Sequence, residues 1–341
     1  MCKSDPPFNG ELMPSKSKNV ELYDRRKFLN RVAYACAGAL GVSAITYMAR
    51  SGEPVYRRPE KILTIPKFSV DAGAVYPRMA IVHGKDADRM VKAALEKLGG
   101  VEKFIKPGDR VLIKPNVAWD RAPEQAANTN PHVVAAIIKA IMPARPASVT
   151  VTDVSLNDPY RCFARSGIES AAKHAGAMVF IPGDGDFRTA DLKGELLTQW
   201  PVTRAVFEAD KIINAPVVKH HSLSGATLSQ KNWYGMLGGR RNQLHQDIHT
   251  SIADLAQAFR PTLTVMDATR VLMRNGPNGG SLSDVSVFDT IIAGTDEVAI
   301  DAYSMGLLGL DPAGQTFMQM AEKRGLGVTR WKDIHHAEFT V

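Results

Sequence analysis

The stretch RMAIVHGKDADRMVKAALEKLGGVEKFIKPGDRVLIKP, residues 78–115, contains two short apolar runs with a helical pattern between them. RMAIVH (78–83) has the composition of a strand. Asp86 follows as a helix cap, and the apolar residues at positions 90, 91, 94, 95 and 98 share one helix face. RVLIKP (110–115) is the second strand. Strand, helix and strand in this order predict a βαβ unit, in which the two strands run parallel.

The same alternation continues along the chain. Further short apolar runs, separated by helical patterns or loops, occur at residues 148–153, 177–182, 211–218, 262–267 and 289–294. Strands of this kind are typical of a parallel sheet that is covered on both faces. The predicted fold class is therefore α/β: a mostly parallel sheet built from βαβ units, with helices on both faces, in one or two lobes.

Four segments are predicted along the chain. Residues 1–50 form a leader, and the Pro-rich residues 51–77 form a linker or wrapping arm. The α/β domain spans residues 78–330, and residues 331–341 form a C-terminal tail.

The charge is concentrated in the leader. The 341 residues carry a formal net charge of +7, but residues 1–50 hold eight Lys/Arg and four Asp/Glu, which leaves 34 against 31 for the rest. The body is therefore close to neutral and has no basic run with interleaved aromatic residues. This composition argues against a nucleic-acid partner.

The leader has the pattern of an export signal. YDRRKFL (23–29) contains Arg25 and Arg26, and an uncharged, modestly apolar run follows at residues 32–49. It resembles a twin-arginine signal, which implies transport of the folded protein by the twin-arginine translocon and a periplasmic location. The alternative is an uncleaved signal that tethers the protein to the membrane through residues 32–49.

Cysteine usage restricts the cofactors. Cys2 and Cys36 lie in the leader, so the body retains only Cys162, and it cannot supply a four-cysteine iron–sulfur site. A metal would be held by His, Asp, Glu or Asn, or would arrive within an organic cofactor. The identity of any cofactor is not determined by the sequence.

Polar residues follow several predicted strands. In parallel α/β sheets, ligands bind beyond the carboxyl ends of the strands, where such residues converge. A small anionic ligand is predicted there, because a lysine beside amide and imidazole groups suits a carboxylate or phosphate. The alternative for the aspartates is that each caps the next helix or turn. The predicted ligand-binding residues are Lys114, Asn116, Asp153, Lys219 and Asp267.

KHHSLSGATLSQKNWYG (219–235) carries the densest chemistry. Counting in steps of two from Val217 places His221, rather than His220, on the side of the site. Lys231 and Asn232 follow in a short helix whose first amide groups would bind an anion. Lys231 would add charge there or form a covalent link to a carbonyl group. His221 and Lys231 are therefore the predicted catalytic residues, and Asn232 is a predicted ligand-binding residue.

The next turn adds weaker candidates. Arg240, in a glycine-rich basic turn, is predicted to close over the anionic group. His245 and His249 are four residues apart, and on one helix they would share a face and could bind a transition metal. A solvated helix face is the alternative.

Several motifs occur in the order found in one family. KPN (114–116), Asp153, residues 219–235 and IIAGTDEVAIDA (291–302) together resemble the family named domain of unknown function 362. Many relatives carry a ferredoxin-type cysteine segment that this chain does not have. The resemblance implies the α/β fold and leaves the reaction undefined.

KHHSLSGATLSQK is also similar to a region of the nickel-pincer lactate racemases. That resemblance implies that Lys231 holds a cofactor, that His221 is a base, and that His245 or His249 is the second acid–base group. Three functions therefore stay open: an exported metal- or cofactor-binding protein for a small anion, possessing redox or other activity; a non-catalytic accessory subunit of a membrane or periplasmic complex; and a racemase-like enzyme.

Overall fold

A computed structural model describes residues 61–70, 73 and 75–341, together with the helical residues 29, 30, 32 and 34. Arg25, Arg26 and most of the 32–49 run lie outside the described residues. No helix in the described part of the chain is both long and apolar enough to cross a bilayer. Lys61–Val341 forms a single compact unit rather than two lobes.

Thirteen strands and nine helices are labelled in chain order within this unit. The strands are β1 (Leu63–Thr64), β2 (Met79–His83), β3 (Arg110–Pro115), β4 (Ser148–Thr152), β5 (Met178–Phe180), β6 (Phe187–Asp191), β7 (Gln199–Thr203), β8 (Lys211–Ala215), β9 (Val217–His221), β10 (Gly225–Thr227), β11 (Leu263–Leu272), β12 (Val285–Gly294) and β13 (His336–Thr340). The α-helices are α1 (Ala87–Lys97), α2 (Pro131–Ile141), α3 (Pro159–Arg165), α4 (Ile168–His174), α5 (Ala205–Glu208), α6 (Ser229–Asn232), α7 (Ile248–Phe259), α8 (Glu297–Leu307) and α9 (Thr316–Lys323).

The large sheet has the order β13-β2-β12-β11-β8-β3-β4-β5, and β9 pairs with both β11 and β10. The pairs β11–β8, β8–β3, β3–β4, β4–β5 and β13–β2 are parallel. The predicted α/β class with a mostly parallel sheet is therefore confirmed. A smaller sheet, β1-β6-β7, is separate from it.

The strands β10 and β12 depart from the parallel arrangement, and β10 is antiparallel to β9. β12 is antiparallel to both β11 and β2. The connection between β11 and β12 contains a 3₁₀ turn, Leu282–Asp284, in place of a crossover α-helix. The chain therefore returns as a hairpin, and a hairpin makes antiparallel neighbours. Both strands are ten residues long. The loop GPNGG (276–280) lies between them and reaches the edge of the sheet where the other strands end.

Alternating side chains of the strands supply two cores, one on each face of the sheet. Met79 and Ile81 pack in the core that includes α7, α8 and α9, whereas Ala80 and Val82 pack in the core formed with α1 and α2. This alternation is the two-residue period of a strand. Helices therefore cover both faces, as predicted.

This unit also includes residues on either side of the predicted domain, 78–330. Phe68 is almost fully buried, and its carbonyl oxygen accepts a hydrogen bond of 2.8 Å from Oγ1 of Thr262. At the other end, β13 pairs with β2 in parallel along its whole length. The residues predicted as a tail therefore supply the edge strand of the large sheet.

Candidate functional site

A cavity of about 320 Å³ opens at the carboxyl ends of β3, β4 and β9. We call it the strand-end cavity. These strands run in the same direction, so the residues that follow them meet at one edge of the sheet. The cavity is lined by eight of the predicted site residues: Lys114, Asn116, Asp153, Lys219, His221, Lys231, Asn232 and His245.

Lys114 lies at the base of the cavity and is fully buried. Its Nζ is 2.9 Å from Oδ1 of Asp153 and donates to Oδ1 of Asn232 at 2.8 Å and to the carbonyl oxygen of Pro115 at 2.8 Å. Burial lowers the pKa of Lys114, and the Asp153 carboxylate acts in the opposite direction. Because its ammonium group already has these three partners, Lys114 connects the residues at the base of the cavity and has little free charge for a ligand.

Asn232 connects this pair to the neighbouring strands. Its Oδ1 also accepts from Nδ2 of Asn116 at 3.0 Å, and its Nδ2 donates to Oδ1 of Asn214 at 2.8 Å and to the carbonyl oxygen of Lys114. Asn214 in turn donates to the buried carboxyl group of Glu297, whose pKa burial raises to about 8. Both polar atoms of the Asn232 side chain are therefore used within the protein.

Lys219 is the second buried lysine. Its Nζ donates to Oδ1 of Asn116 at 2.9 Å and to the carbonyl oxygen of Ala127 at 2.5 Å, and neither acceptor is charged. Burial, with the positive charge of Lys231, lowers the pKa of Lys219 to about 7. Lys219 therefore lies close to the point at which it gains or loses its proton in neutral solution.

Lys231 has no acidic partner among the residues that the structure describes. It is 7% exposed, and its Nζ lies 4.3 Å from the centre of the Tyr234 ring. A cation over an aromatic face gains some electrostatic stabilisation, but the ring accepts no conventional hydrogen bond. Burial, with the charge of Arg241, lowers the pKa of Lys231 to about 7.

Arg241, rather than Arg240, contributes to the cavity. Arg240 is exposed, whereas Arg241 lines the cavity and donates to the carbonyl oxygens of Tyr234 at 3.0 Å and Ser155 at 2.8 Å. Burial lowers the pKa of Arg241 from its usual value. The sequence indicated the correct turn. A turn has no repeating side-chain direction, however, that would distinguish Arg240 from Arg241.

The cavity is electropositive. Lys114, Lys219, Lys231 and Arg241 line it, and Asp153 is the carboxylate among its described lining residues. Asp153 is already paired with Lys114. A buried cation is stable only when it is paired or when it loses its charge. Lys219, Lys231 and Arg241 have no carboxylate partner among the described residues.

His221 is held in one neutral form. Its Nδ1 accepts from the backbone N–H groups of Leu223 at 3.1 Å and Ser224 at 3.4 Å. Since both partners are donors, Nδ1 carries no hydrogen and Nε2 carries it. Burial, with the charges of Lys231 and Lys219, lowers the pKa of His221 to about 2. His221 is therefore a hydrogen-bond donor, which does not fit the role of base implied by the racemase resemblance.

His245 has the opposite arrangement. Its Nδ1 lies 3.1 Å from the carbonyl oxygen of Asn242, an acceptor, so Nδ1 carries the hydrogen and Nε2 has a free lone pair. The rings of His221 and His245 are nearly parallel, with their centres 6.2 Å apart. Burial lowers the pKa of His245 as well. One imidazole at the cavity is thus a donor and the other an acceptor.

His249 does not join His245. Their predicted shared face required one helix, but His245 ends a 3₁₀ turn and α7 begins at Ile248 after Asp247, whose side chain accepts from the N–H of Thr250. His249 stacks on Phe317 instead. Within the described ranges, no three His, Cys, Asp or Glu side chains are grouped in a way that could hold a metal ion.

Asp267 does not meet the other predicted ligand-binding residues at the cavity. β11 continues for five residues beyond it, so Asp267 lies inside a strand and outside the cavity. It accepts from the N–H of Asn130 at 2.7 Å and from the N–H and hydroxyl group of Thr269. Asp296, by contrast, caps α8, as the alternative for the aspartates describes.

The first amide groups of α6 are also occupied. The N–H groups of Ser229 and Gln230 donate to the Asp301 carboxylate at 2.8 and 3.1 Å. The helix begins at Ser229, and its N-terminal amides are unavailable to an anion. Charge at the cavity therefore comes from side chains.

Gly235 allows the close packing around the buried ion pair. A Cβ on Gly235 would overlap Oδ1 of Asp153 and lie 2.5 Å from Nζ of Lys114. We expect Gly235→Ala to lower the free energy of unfolding by about 3 kcal/mol, the upper part of the usual range for overpacking. Gly314→Ala is the control, because a Cβ there meets nothing within 4 Å. Equal urea midpoints for the two variants would contradict this assignment.

The fold and this site define an α/β protein with an electropositive cavity at its strand ends. The family model described as domain of unknown function (DUF362) matches residues 111–306, more than half of the chain. The chain therefore belongs to this family, as its motifs suggested.

Similar proteins were found by sequence and by structure. The thylakoid-associated protein sll1697 of Synechocystis sp. is 27% identical over 255 residues, which cover 70% of this chain and 75% of that protein. The lactate racemase apoprotein from Thermoanaerobacterium thermosaccharolyticum matches with a TM-score of 0.39 and 12% identity. A Thermotoga maritima protein matches with a TM-score of 0.35 and 10% identity. Each structural match covers 71% of this chain and 60% of the other.

Proposed function

We propose that the strand-end cavity binds a small molecule with a carboxylate or phosphate group, that His245 accepts a proton from that molecule, and that His221 donates a hydrogen bond to it. The observation that carries the proposal is the buried amine of Lys231. It lies beside Arg241 without a carboxylate or hydrogen-bond partner among the described residues. An anionic ligand would supply that partner and restore the charged form of the lysine.

The roles of the side chains follow from their hydrogen bonds. Lys231, Lys219 and Arg241 would hold the anionic group. Nε2 of His245 would accept a proton from the ligand, and the Nδ1–H bond to Asn242 would stabilise the imidazolium that forms. Nε2–H of His221 would donate a hydrogen bond to a ligand oxygen. Binding of the anion would also raise the low pKa of His245, because it neutralises nearby positive charge.

Anion binding is tested by calorimetry with acetate and inorganic phosphate as probes. The pKa values of Lys219 and Lys231 are about 7 in the free protein, so both amines lose charge as the pH rises above 7. We expect affinity to fall between pH 7 and 9. We also expect binding near pH 8 to take up protons, measured as heats that depend on the ionisation enthalpy of the buffer. Affinity that is constant over this range would contradict a role for the two amines.

Proton transfer is tested without knowledge of the final product. Small carboxylates with an α-hydrogen are incubated with the protein in D₂O, and loss of the α-proton signal is followed by NMR. We expect His245→Gln to bind the same carboxylates and to stop the exchange. Exchange that continues at the wild-type rate in this variant would remove His245 from the proposed role.

A metal or organic cofactor is a prediction from the sequence that extends this proposal. Of the two imidazoles at the cavity, His245 has the free Nε2 lone pair, so it would be the ligand to a metal. A metal bound there would take the place of the proton, so His245 would act either as the metal ligand or as the base. One histidine is too few for a protein-only site, so the metal would arrive with other ligands in an organic cofactor. Elemental analysis and the absorption spectrum of protein from its native host test this, with His245→Ala as the variant that loses the signal.

We also propose export through the twin-arginine translocon, on the strength of Arg25 and Arg26 and the uncharged run at residues 32–49. Replacing both arginines by lysine should retain the protein in the cytoplasm, as measured by cell fractionation. Unchanged periplasmic content would contradict the export signal.

The second candidate is an accessory subunit at a membrane complex. The observation in its favour is the name of the Synechocystis relative, which associates that protein with thylakoids. In this case the protein would co-purify with membrane partners, and acetate and phosphate would release no heat.

A further inference from the structure

Four apolar side chains surround the opening of the strand-end cavity. Trp119, Leu156, Leu223 and Pro277 line it, and we call them the apolar rim. Leu156 and Leu223 are 54% and 60% exposed, and Trp119 and Pro277 are partly buried. Single exposed leucines are ordinary on protein surfaces, but these residues come from four chain segments and meet at one opening.

Hydrogen bonds to backbone groups fix the segments that carry the rim. The N–H of Leu156 donates to the carbonyl oxygen of Ala118 at 3.0 Å, and the N–H of Leu223 donates to Nδ1 of His221. The hairpin loop with Pro277 is held by Arg121, whose Nε donates to the carbonyl oxygen of Asn278 at 3.1 Å. The segments that carry these apolar side chains are therefore held in place around the cavity that the cations also line.

We propose that the ligand is amphiphilic, with an anionic head group at the lysines and Arg241 and an unbranched apolar tail that passes over the rim. This inference rests on the proposed function of the same cavity. A cavity of about 320 Å³ is at the small end of ligand sites, so it holds a head group and a few carbon atoms. The rest of a longer tail would contact Trp119, Leu156 and Leu223.

The test is a chain-length series of linear alkyl carboxylates and alkyl phosphates, each used below its critical micelle concentration. Complete burial of one methylene group corresponds to about fourfold tighter binding. We expect affinity to increase by up to that factor per carbon until the tail passes the rim, and then to level off.

Two variants separate the rim from the base. Leu156→Ser with Leu223→Ser should flatten the dependence on chain length while acetate and inorganic phosphate bind as before. Leu282→Ser is the matched control, because Leu282 is 61% exposed and does not line the cavity. It should keep the wild-type dependence.

Each other outcome has a definite meaning. If acetate binds and affinity does not change with chain length, the amphiphile inference is wrong and the proposed function stands. If no anion of any length binds, the proposed function fails as well. If anionic phospholipid vesicles bind and the soluble amphiphiles do not, the rim contacts a membrane surface, and the proposal of a single-chain ligand is overturned.

Discussion

Replacing Lys231 by methionine should weaken binding of acetate or phosphate by roughly 100-fold, since a hydrogen bond to a charged group contributes up to about 3 kcal/mol. The same variant should not lose stability in the absence of ligand. Lys231 is buried and has no acidic partner in the described part of the chain, so its charged form is unfavourable there. Calorimetry measures the first effect, and urea unfolding measures the second.

The pH dependence adds a second test of Lys231. Its pKa is about 7 in the folded protein and higher in the unfolded chain, so the unfolded chain binds more protons between pH 7 and 10. Wild-type stability should therefore rise over this range, and the slope should be smaller in Lys231→Met. Lys92→Met, at an exposed position on α1, is the control and should match the wild type in binding and slope. Normal ligand affinity in Lys231→Met would end the anion-binding proposal.

The buried pair of Lys114 and Asp153 should show the largest loss of stability. Asp153→Asn removes one charge from a pair whose side chains are at most 2% exposed. Breaking such a pair leaves the other charge buried without compensation and lowers the free energy of unfolding by about 3–5 kcal/mol. Urea unfolding at pH 7 measures this change.

Two comparisons make the result specific to the pair. Adding Lys114→Met to Asp153→Asn should recover part of the loss, because no unpaired charge is left. Asp210→Asn, which breaks the exposed pair with Arg110, should have a much smaller effect. If Asp153→Asn is no worse than Asp210→Asn, then the ion pair does not organise the base of the cavity.

The site residues at the strand ends could be predicted from the sequence. Lys114, Asn116 and Asp153 follow apolar runs that could be read as parallel strands, and parallel strands bring their carboxyl ends to one edge. His221 could be placed by the two-residue period of β9. The fold class could also be predicted, because short apolar strands between helical patterns are typical of a parallel sheet that is covered on both faces.

The remaining site residues could be placed correctly only by knowing where each strand, helix or turn ends. The sequence defines those ends poorly. The apolar run containing Asp267 was taken to stop there, but β11 extends to Leu272 because it pairs with β12. The expected helix around His245 and His249 is interrupted because Asp247 caps a new helix between them. Arg241 was passed over for Arg240 in a turn without periodicity. Which ring nitrogen of each histidine carries the hydrogen depends on contacts that form only in the folded protein.

The guanidinium group of Arg241 is positioned by the main-chain oxygens of Tyr234, in a 3₁₀ turn after α6, and Ser155, in the loop after β4. Its orientation is therefore set before any ligand arrives, and it loses little rotational freedom on association. The entropy that a flexible surface arginine would give up has already been lost during folding. Binding of the proposed anion should accordingly require little rearrangement of these two segments.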